Sequence, residues 1–106
     1  MPNVKNGKLV LTGKQKEFFR HYLAGAGQAE SARLAGYSPK SVEVSGRKNA
    51  RLLRELPAEM WKECLEAVGM TLPNIARRLS TIMQGDNEKA ALIAARIGLT
   101  GWGVSS

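Results

Sequence analysis

A chain of 106 residues that is 43% hydrophobic can form one ordinary domain or two small lobes that support each other, and it is too apolar for a disordered tail. One Cys and one His exclude an intrachain disulfide and a Cys/His zinc site, and no apolar run is long enough to cross a membrane. The formal net charge of +7 favours a polyanionic partner such as nucleic acid.

The positive charge is concentrated in the first half of the chain. Residues 1 to 54 contain eleven Lys and Arg against three Glu, whereas residues 55 to 106 contain five against six acidic residues. Lys and Arg that bind phosphates release condensed counterions, so the first half is the candidate for DNA contact. The alternative interpretation is a basic surface that is merely solvated.

The first half predicts a basic arm and three helices. Residues 1 to 11 show little periodicity and predict a flexible basic arm. Thr12 is a candidate N-cap for a helix over residues 13 to 24, and Gln28–Ala35 predicts a short second helix after two glycines. Gly36 suits a left-handed C-terminal cap, and Ser38-Pro39 then predicts the N-cap and first position of a third helix that ends near Glu55.

The second half predicts three further helices. They are expected over residues 57 to 68, from Thr71 and Pro73 to about Met83, and over residues 87 to 98 after an Asp86 cap. The last of them is apolar on nearly all sides, which favours burial by a neighbouring subunit as well as by its own chain. Gly98, Gly101 and Gly103 around Trp102 then mark an irregular tail.

Two short helices followed by a long basic one are the pattern of a helix-turn-helix, in which the second helix of the motif enters the major groove of DNA. Arg47 is the first candidate for a base edge, because a guanidinium pairs with guanine O6 and N7. The other basic candidates are expected at phosphates, and the serines are short hydrogen-bonding groups near the leading end of the helix. The full predicted DNA-binding set is Lys14, Lys16, Arg33, Ser38, Lys40, Ser41, Arg47, Lys48, Arg51 and Arg54.

Other chemistry-bearing residues have simpler interpretations. Glu43 is expected to pair with Arg47 four residues later. Cys64 and Trp61 lie on an apolar stripe and are expected in the core, and His21 has no Cys, Asp or second His nearby in the sequence. We therefore predict no catalytic residue, no metal site and no cofactor.

The sequence resembles a known family, the phage terminase small subunits. The resemblance is carried by LTGKQKEFF at 11–19, YL at 22–23, AGYS at 35–38, G at 46 and LL at 52–53. More loosely, VGMT at 68–71, MQGD at 83–86 and IGL at 97–99 follow the helical hairpin of that family. The resemblance implies an all-α protein with a DNA-binding domain over 12–56, an oligomerisation region over 57–99 and a tail over 100–106.

The resemblance also implies partners and a setting. It implies a closed homo-oligomeric ring of about eight to eleven subunits that binds double-stranded packaging-site DNA and regulates the terminase large subunit, which carries the ATPase and nuclease. The expected location is the cytoplasm of an infected bacterium, and no membrane partner is expected. The residues predicted to form the oligomer are Leu72, Ile75, Leu79, Ile82, Leu92, Ile93 and Ile97.

Two alternatives stay open on the sequence alone. A helix-turn-helix transcriptional regulator uses the same third helix but binds as a dimer to half-sites about 34 Å apart. A helical adaptor with no nucleic-acid partner is the other.

Overall fold

The computed structural model describes residues 4–5, 8–70 and 72–98. Six α-helices dominate this part of the chain, so the all-α class is confirmed there. In chain order the elements are strands β1 (Val4–Lys5) and β2 (Lys8–Leu9), then helices α1 (Gly13–Leu23), α2 (Gln28–Leu34), α3 (Val42–Glu55), α4 (Trp61–Val68), α5 (Leu72–Met83) and α6 (Asn87–Ile97), with a 3-10 helix at Ala58–Met60 before α4. None of the described helices is long and apolar enough to span a bilayer.

The segment before α1 contains a short antiparallel ladder that the sequence did not predict. β1 and β2 pair antiparallel, with Val4 opposite Leu9 and Lys5 opposite Lys8. A two-residue strand is shorter than the four or more residues over which alternation is recognisable. The sequence pattern therefore had no signal for this ladder.

The start of α1 is fixed by a reciprocal cap. The Gln15 backbone N–H donates to Thr12 Oγ1 at 3.1 Å, and the Thr12 N–H donates to Gln15 Oε1 at 3.0 Å. This capping box satisfies two backbone groups at the helix end. The predicted N-cap at Thr12 is thus confirmed, and α1 turns its buried Phe18, Phe19, Tyr22 and Leu23 toward the core.

The connection between α2 and α3 is longer than the sequence predicted. Gly36 has φ +98°, as expected for a left-handed cap, and the Tyr37 N–H donates to the Ala32 carbonyl at 3.1 Å. The Ser41 N–H donates to the Ser38 carbonyl at 2.8 Å. Residues 38 to 41 therefore form a separate turn, and α3 begins at Val42 after a Ser41 N-cap rather than at Pro39.

The second half follows the predicted helices closely, with one difference at its start. The residues after Pro57 form the short 3-10 helix, and α4 begins at Trp61. Asp86 caps α6 as predicted, because its side chain accepts a hydrogen bond from the Lys89 N–H at 3.0 Å. Gly98 ends α6 in the left-handed conformation, with φ +84°.

The two predicted regions share one core. α1 contacts both α4 and α5, and α3 contacts α5. Arg20 Nε donates to the Val68 carbonyl at 3.2 Å, and Arg78 Nε donates to the Tyr22 carbonyl at 3.1 Å. Side chains from either side of Pro57 therefore tie the first half to the second.

Most of the residues predicted to form an oligomer lie in the core of the single chain. Ile75, Leu79, Ile82, Ile93 and Ile97 are buried within the single chain. α6 is covered by α4, α5 and the 3-10 helix of its own chain, so these side chains are already buried without a neighbouring subunit. Leu92 is different, because its side chain is 55% exposed. The prediction for Leu72 concerns a side chain outside the described part of the structure, as do the predictions for the tail.

Candidate nucleic-acid interface

Helix α3 has two chemically distinct faces. Gly46, Asn49, Ala50 and Leu53 are buried against the rest of the protein. The opposite face is exposed, and it contains Glu43, Val44, Arg47, Lys48 and Arg51. Residues three and four apart lie side by side on a helix, so the three cations form one continuous basic surface. We call Arg47, Lys48 and Arg51 the α3 basic face.

The contact that orients this face is unusually close. A Cβ built on Gly46 would lie 2.6 Å from the Gln28 carbonyl oxygen and 2.8 Å from its carbonyl carbon. Both atoms are backbone, so neither can rotate away. Only glycine permits α3 to cross the first turn of α2 at this distance, and the crossing fixes which side of α3 faces outward.

Tyr37 fastens the connection between α2 and α3 to residues of α1 and α3. Asn49 Nδ2 donates to the Tyr37 hydroxyl at 3.1 Å, and Lys14 Nζ lies 5.3 Å from the centroid of the Tyr37 ring. A cation over an aromatic face is favourable, and Asn49 is only 7% exposed, so its hydrogen bond has structural weight. The sequence analysis missed Tyr37 and Asn49 as positioning residues, because nothing in the local pattern pairs residues twelve apart.

A basic cleft lies between α2 and the basic face. It has a volume of ≈ 240 Å³ and is lined by Gln28, Arg47, Ala50, Arg51 and Arg54. Three guanidinium groups therefore border one concave site whose only apolar lining residue is Ala50. Arginine is suited to phosphate because its planar donors match two oxygens at once.

Two predicted contact residues are already engaged within the protein. Arg33 pairs with Glu30 on α2, where Arg33 Nε donates to Glu30 Oε1 at 2.9 Å. This hydrogen bond lowers the pKa of the Glu30 carboxyl and raises the pKa of the Arg33 guanidinium. Arg54 is half-buried, and its Nη1 donates to Gln84 Oε1 at 2.9 Å, so it links α3 to the turn between α5 and α6.

The remaining predicted DNA-binding residues divide by position. Lys16 on α1 is exposed, and Lys40 and Ser38 are exposed in the turn before α3. Ser41 is half-buried, and its hydroxyl donates to the Ser38 carbonyl at 3.1 Å. The structure therefore brings Arg47, Arg51 and Arg54 around one cleft. Ser38 and Ser41 instead form part of the turn before α3.

The surroundings of the interface contain little other chemistry. The expected Glu43–Arg47 ion pair is absent from the described part of the chain, where ion pairs join Glu17 to Arg20 and Glu30 to Arg33. Within the same described ranges, no three His, Cys, Asp or Glu side chains are grouped to hold a metal ion.

Cys64 and Trp61 lie in the core, as predicted. Burial raises the pKa of the Cys64 thiol to about 12, so the thiol is held in its neutral form. The Trp61 Nε1 is buried without a hydrogen-bond partner among the described residues. Both side chains therefore contribute packing rather than surface chemistry.

Comparison with protein-family models, with curated proteins and with solved structures gave no match to this chain.

Proposed function

We propose that this protein is a non-enzymatic, double-stranded-DNA-binding protein that uses α2 and α3 as a helix-turn-helix and places α3 in the major groove. The observation that carries the proposal is the α3 basic face, exposed on the side of the helix opposite the buried Gly46 and Leu53. In helix-turn-helix proteins the second helix of the motif reads base edges while the first contacts the backbone.

Three further features support this role for α3. The close crossing at Gly46 gives α3 a defined orientation on α2. The cleft beside α2 gathers three guanidinium groups at the outer surface of the motif. Lys16 and Lys40 are exposed on α1 and in the turn before α3, where additional phosphate contacts are available to them. The connection between α2 and α3 has seven residues, which is longer than the three or four residues typical of this motif. Tyr37 holds this connection in place through its contacts with Asn49 and Lys14.

Within this class we propose the DNA-recognition subunit of a viral genome-packaging terminase, on the sequence resemblance described above. In this role the chain forms a ring, binds packaging-site DNA in the infected bacterial cytoplasm, and regulates the large ATPase and nuclease subunit. The isoleucines of α5 and α6 that were predicted to form the oligomer are buried in the single chain. In this proposal the subunits therefore contact each other through exposed residues such as Leu92.

The second candidate is a dimeric helix-turn-helix transcriptional regulator. It is favoured by the same exposed basic face, since nothing in α3 distinguishes packaging DNA from an operator. The absolute mass from light scattering after size-exclusion chromatography separates the two. A closed ring of about eight to eleven subunits supports the terminase subunit, and a dimer supports the regulator.

DNA binding itself is tested by a charge-removal series on a fluorescein-labelled duplex of random sequence, read by anisotropy at several salt concentrations. The test variant is Lys48→Ala with Arg51→Ala. The matched control is Lys62→Ala with Arg96→Ala, which removes the same charge from exposed positions on α4 and α6.

If Lys48 and Arg51 each neutralise a phosphate, the slope of log K against log salt becomes shallower by about 1.8 in the test variant, at roughly 0.9 for each contact. The control variant is expected to keep the wild-type slope. Equal weakening in both variants would show that binding follows net charge and not α3, and would remove the basis of the proposal.

A further inference from the structure

One residue of the exposed face of α3, Val44, is apolar and lies among cations. Val44 is 45% exposed and lies in the first turn of α3. It stands three residues before Arg47, four before Lys48 and seven before Arg51, so helical geometry places it on the same face as all three cations. It is an apolar side chain at the leading end of the basic face.

The fold does not explain a valine at this position. The packing of α3 is supplied by Gly46, Asn49, Ala50 and Leu53 on the opposite face, and by the partly buried Val42 one turn earlier on the core side. A β-branched side chain also has a lower helix propensity than Ala, Lys or Glu, so Val44 does not strengthen the helix. Single exposed apolar side chains are ordinary on protein surfaces, so exposure alone does not distinguish Val44. Val44 is distinguished by its position among the three cations of the α3 basic face.

We propose that Val44 contacts the C5-methyl group of a thymine in the major groove and is a specificity-determining residue of this protein. This inference rests on the proposed DNA-binding function. The leading turns of a recognition helix face the base edges, and the thymine methyl is the apolar group that base pairs present in the major groove. The cations that follow Val44 give the surrounding surface the charge that fits a DNA backbone.

The helix geometry also limits where this thymine lies. Val44 and Arg47 are three residues apart, which is about 4.5 Å along the helix axis at a rise of 1.5 Å per residue. This is close to the spacing of neighbouring base pairs. The thymine is therefore expected within one or two base pairs of a guanine that Arg47 contacts.

The test begins with selection of bound duplexes from a random-sequence library by the wild-type protein. Each thymine of the best duplex is then replaced singly by deoxyuridine, which removes only the C5-methyl group. Affinities are measured by anisotropy for the wild type, for Val44→Ala and for Val10→Ala. Val10 is a matched control because it is also a valine and is 46% exposed, but it lies before α1 and not on α3.

We expect one deoxyuridine replacement to lower the wild-type affinity about fourfold, which corresponds to ~0.8 kcal/mol for a buried group of methylene size. The same replacement is expected to change the affinity of Val44→Ala by less than twofold and that of Val10→Ala by the full factor. The sensitive thymine should lie beside a guanine whose replacement is costly for the wild type but not for Arg47→Ala.

Two results would overturn the inference while DNA binding stands. One is a wild-type affinity that no deoxyuridine replacement changes by more than twofold. The other is a methyl effect that persists unchanged in Val44→Ala, which would assign the thymine to another residue. Failure to bind any duplex is a separate result, because it overturns the proposed function and the role of Val44 with it.

Discussion

Replacing Gly46 by Ala tests the helix crossing that orients the α3 basic face. The new Cβ would lie 2.6 Å from the Gln28 carbonyl oxygen, whereas carbon and oxygen in ordinary close contact are separated by roughly 3.3 Å or more. α2 and α3 must therefore separate by about 0.7 Å, and the obstructing atoms are backbone. Overpacking of this kind costs about 3 kcal/mol at the upper end of its usual range.

Helix propensity acts in the opposite direction, which makes the sign of the result informative. Ala is more favourable than Gly inside a helix by about 1 kcal/mol, so the net expectation for Gly46→Ala is a loss of about 2 kcal/mol. At 4 to 8 °C for each kcal/mol in a domain of this size, the midpoint of thermal unfolding should fall by roughly 10 °C. Circular dichroism at 222 nm is a suitable assay.

Gly13→Ala is the matched control for this experiment. Gly13 is the first residue of α1, and a Cβ built on it meets nothing within 4 Å. We expect its midpoint to equal or exceed that of the wild type. If Gly46→Ala unfolds at or above the wild-type midpoint, the close crossing of α3 over α2 is wrong, and so is the orientation of the basic face derived from it.

Three further predictions concern stability. Thr12→Ala removes the hydroxyl that accepts the Gln15 N–H but keeps the backbone N–H that donates to Gln15 Oε1. It should cost ~1 kcal/mol in urea unfolding, whereas an unchanged midpoint would contradict the cap. Ile93→Asp places a carboxylate in the core and should abolish the cooperative thermal transition. Ala91→Asp, at an exposed position of the same helix, should cost at most about 0.7 kcal/mol, and equal damage by both would contradict the burial of α6. The Cys64 thiol has a pKa of about 12 in the folded protein against an ordinary value of 9.0. As the pH rises, the unfolded chain therefore loses the thiol proton before the folded protein does. The stability that the neutral thiol contributes is complete below pH ~9 and declines above it. The unfolding free energy should therefore fall with pH above ~9 more steeply for the wild type than for Cys64→Ala, by up to ~1.4 kcal/mol per pH unit, and parallel curves would refute the buried thiol.

The candidate site was predictable where it depends on spacing along one helix. Arg51 lies four residues after Arg47 and three residues after Lys48, which are helical spacings, and the structure leaves all three side chains exposed. The pairing of Arg33 with Glu30 is local, three residues apart on α2, and was not predicted although the helical spacing allows it. That Arg54 reaches Gln84, thirty residues away, could not be predicted, because only the folded chain brings these two residues within reach.

The beginning of α3 shows the same division on a smaller scale. Ser38 and Pro39 form a good helix-starting pair, yet the helix begins after Ser41. Hydrogen bonds from Ser41 to the Ser38 carbonyl close a separate turn first. Tyr37 stands just before that turn, held by Asn49 and Lys14 from two other helices, and such partners are invisible to a pattern read over a few residues.

The sequence by itself determined the all-α class, the order of the helices, the caps at Thr12, Gly36 and Asp86, and the basic side of α3. These features depend on residues within about one helical turn of each other, because capping and amphipathicity are local. The tertiary structure alone decided what each apolar face packs against. α6 is apolar on nearly all sides, and its sequence fits a subunit interface as well as a core. Its buried isoleucines belong to the core because α4, α5 and the 3-10 helix of the same chain cover them, and that covering depends on contacts between residues far apart in the sequence.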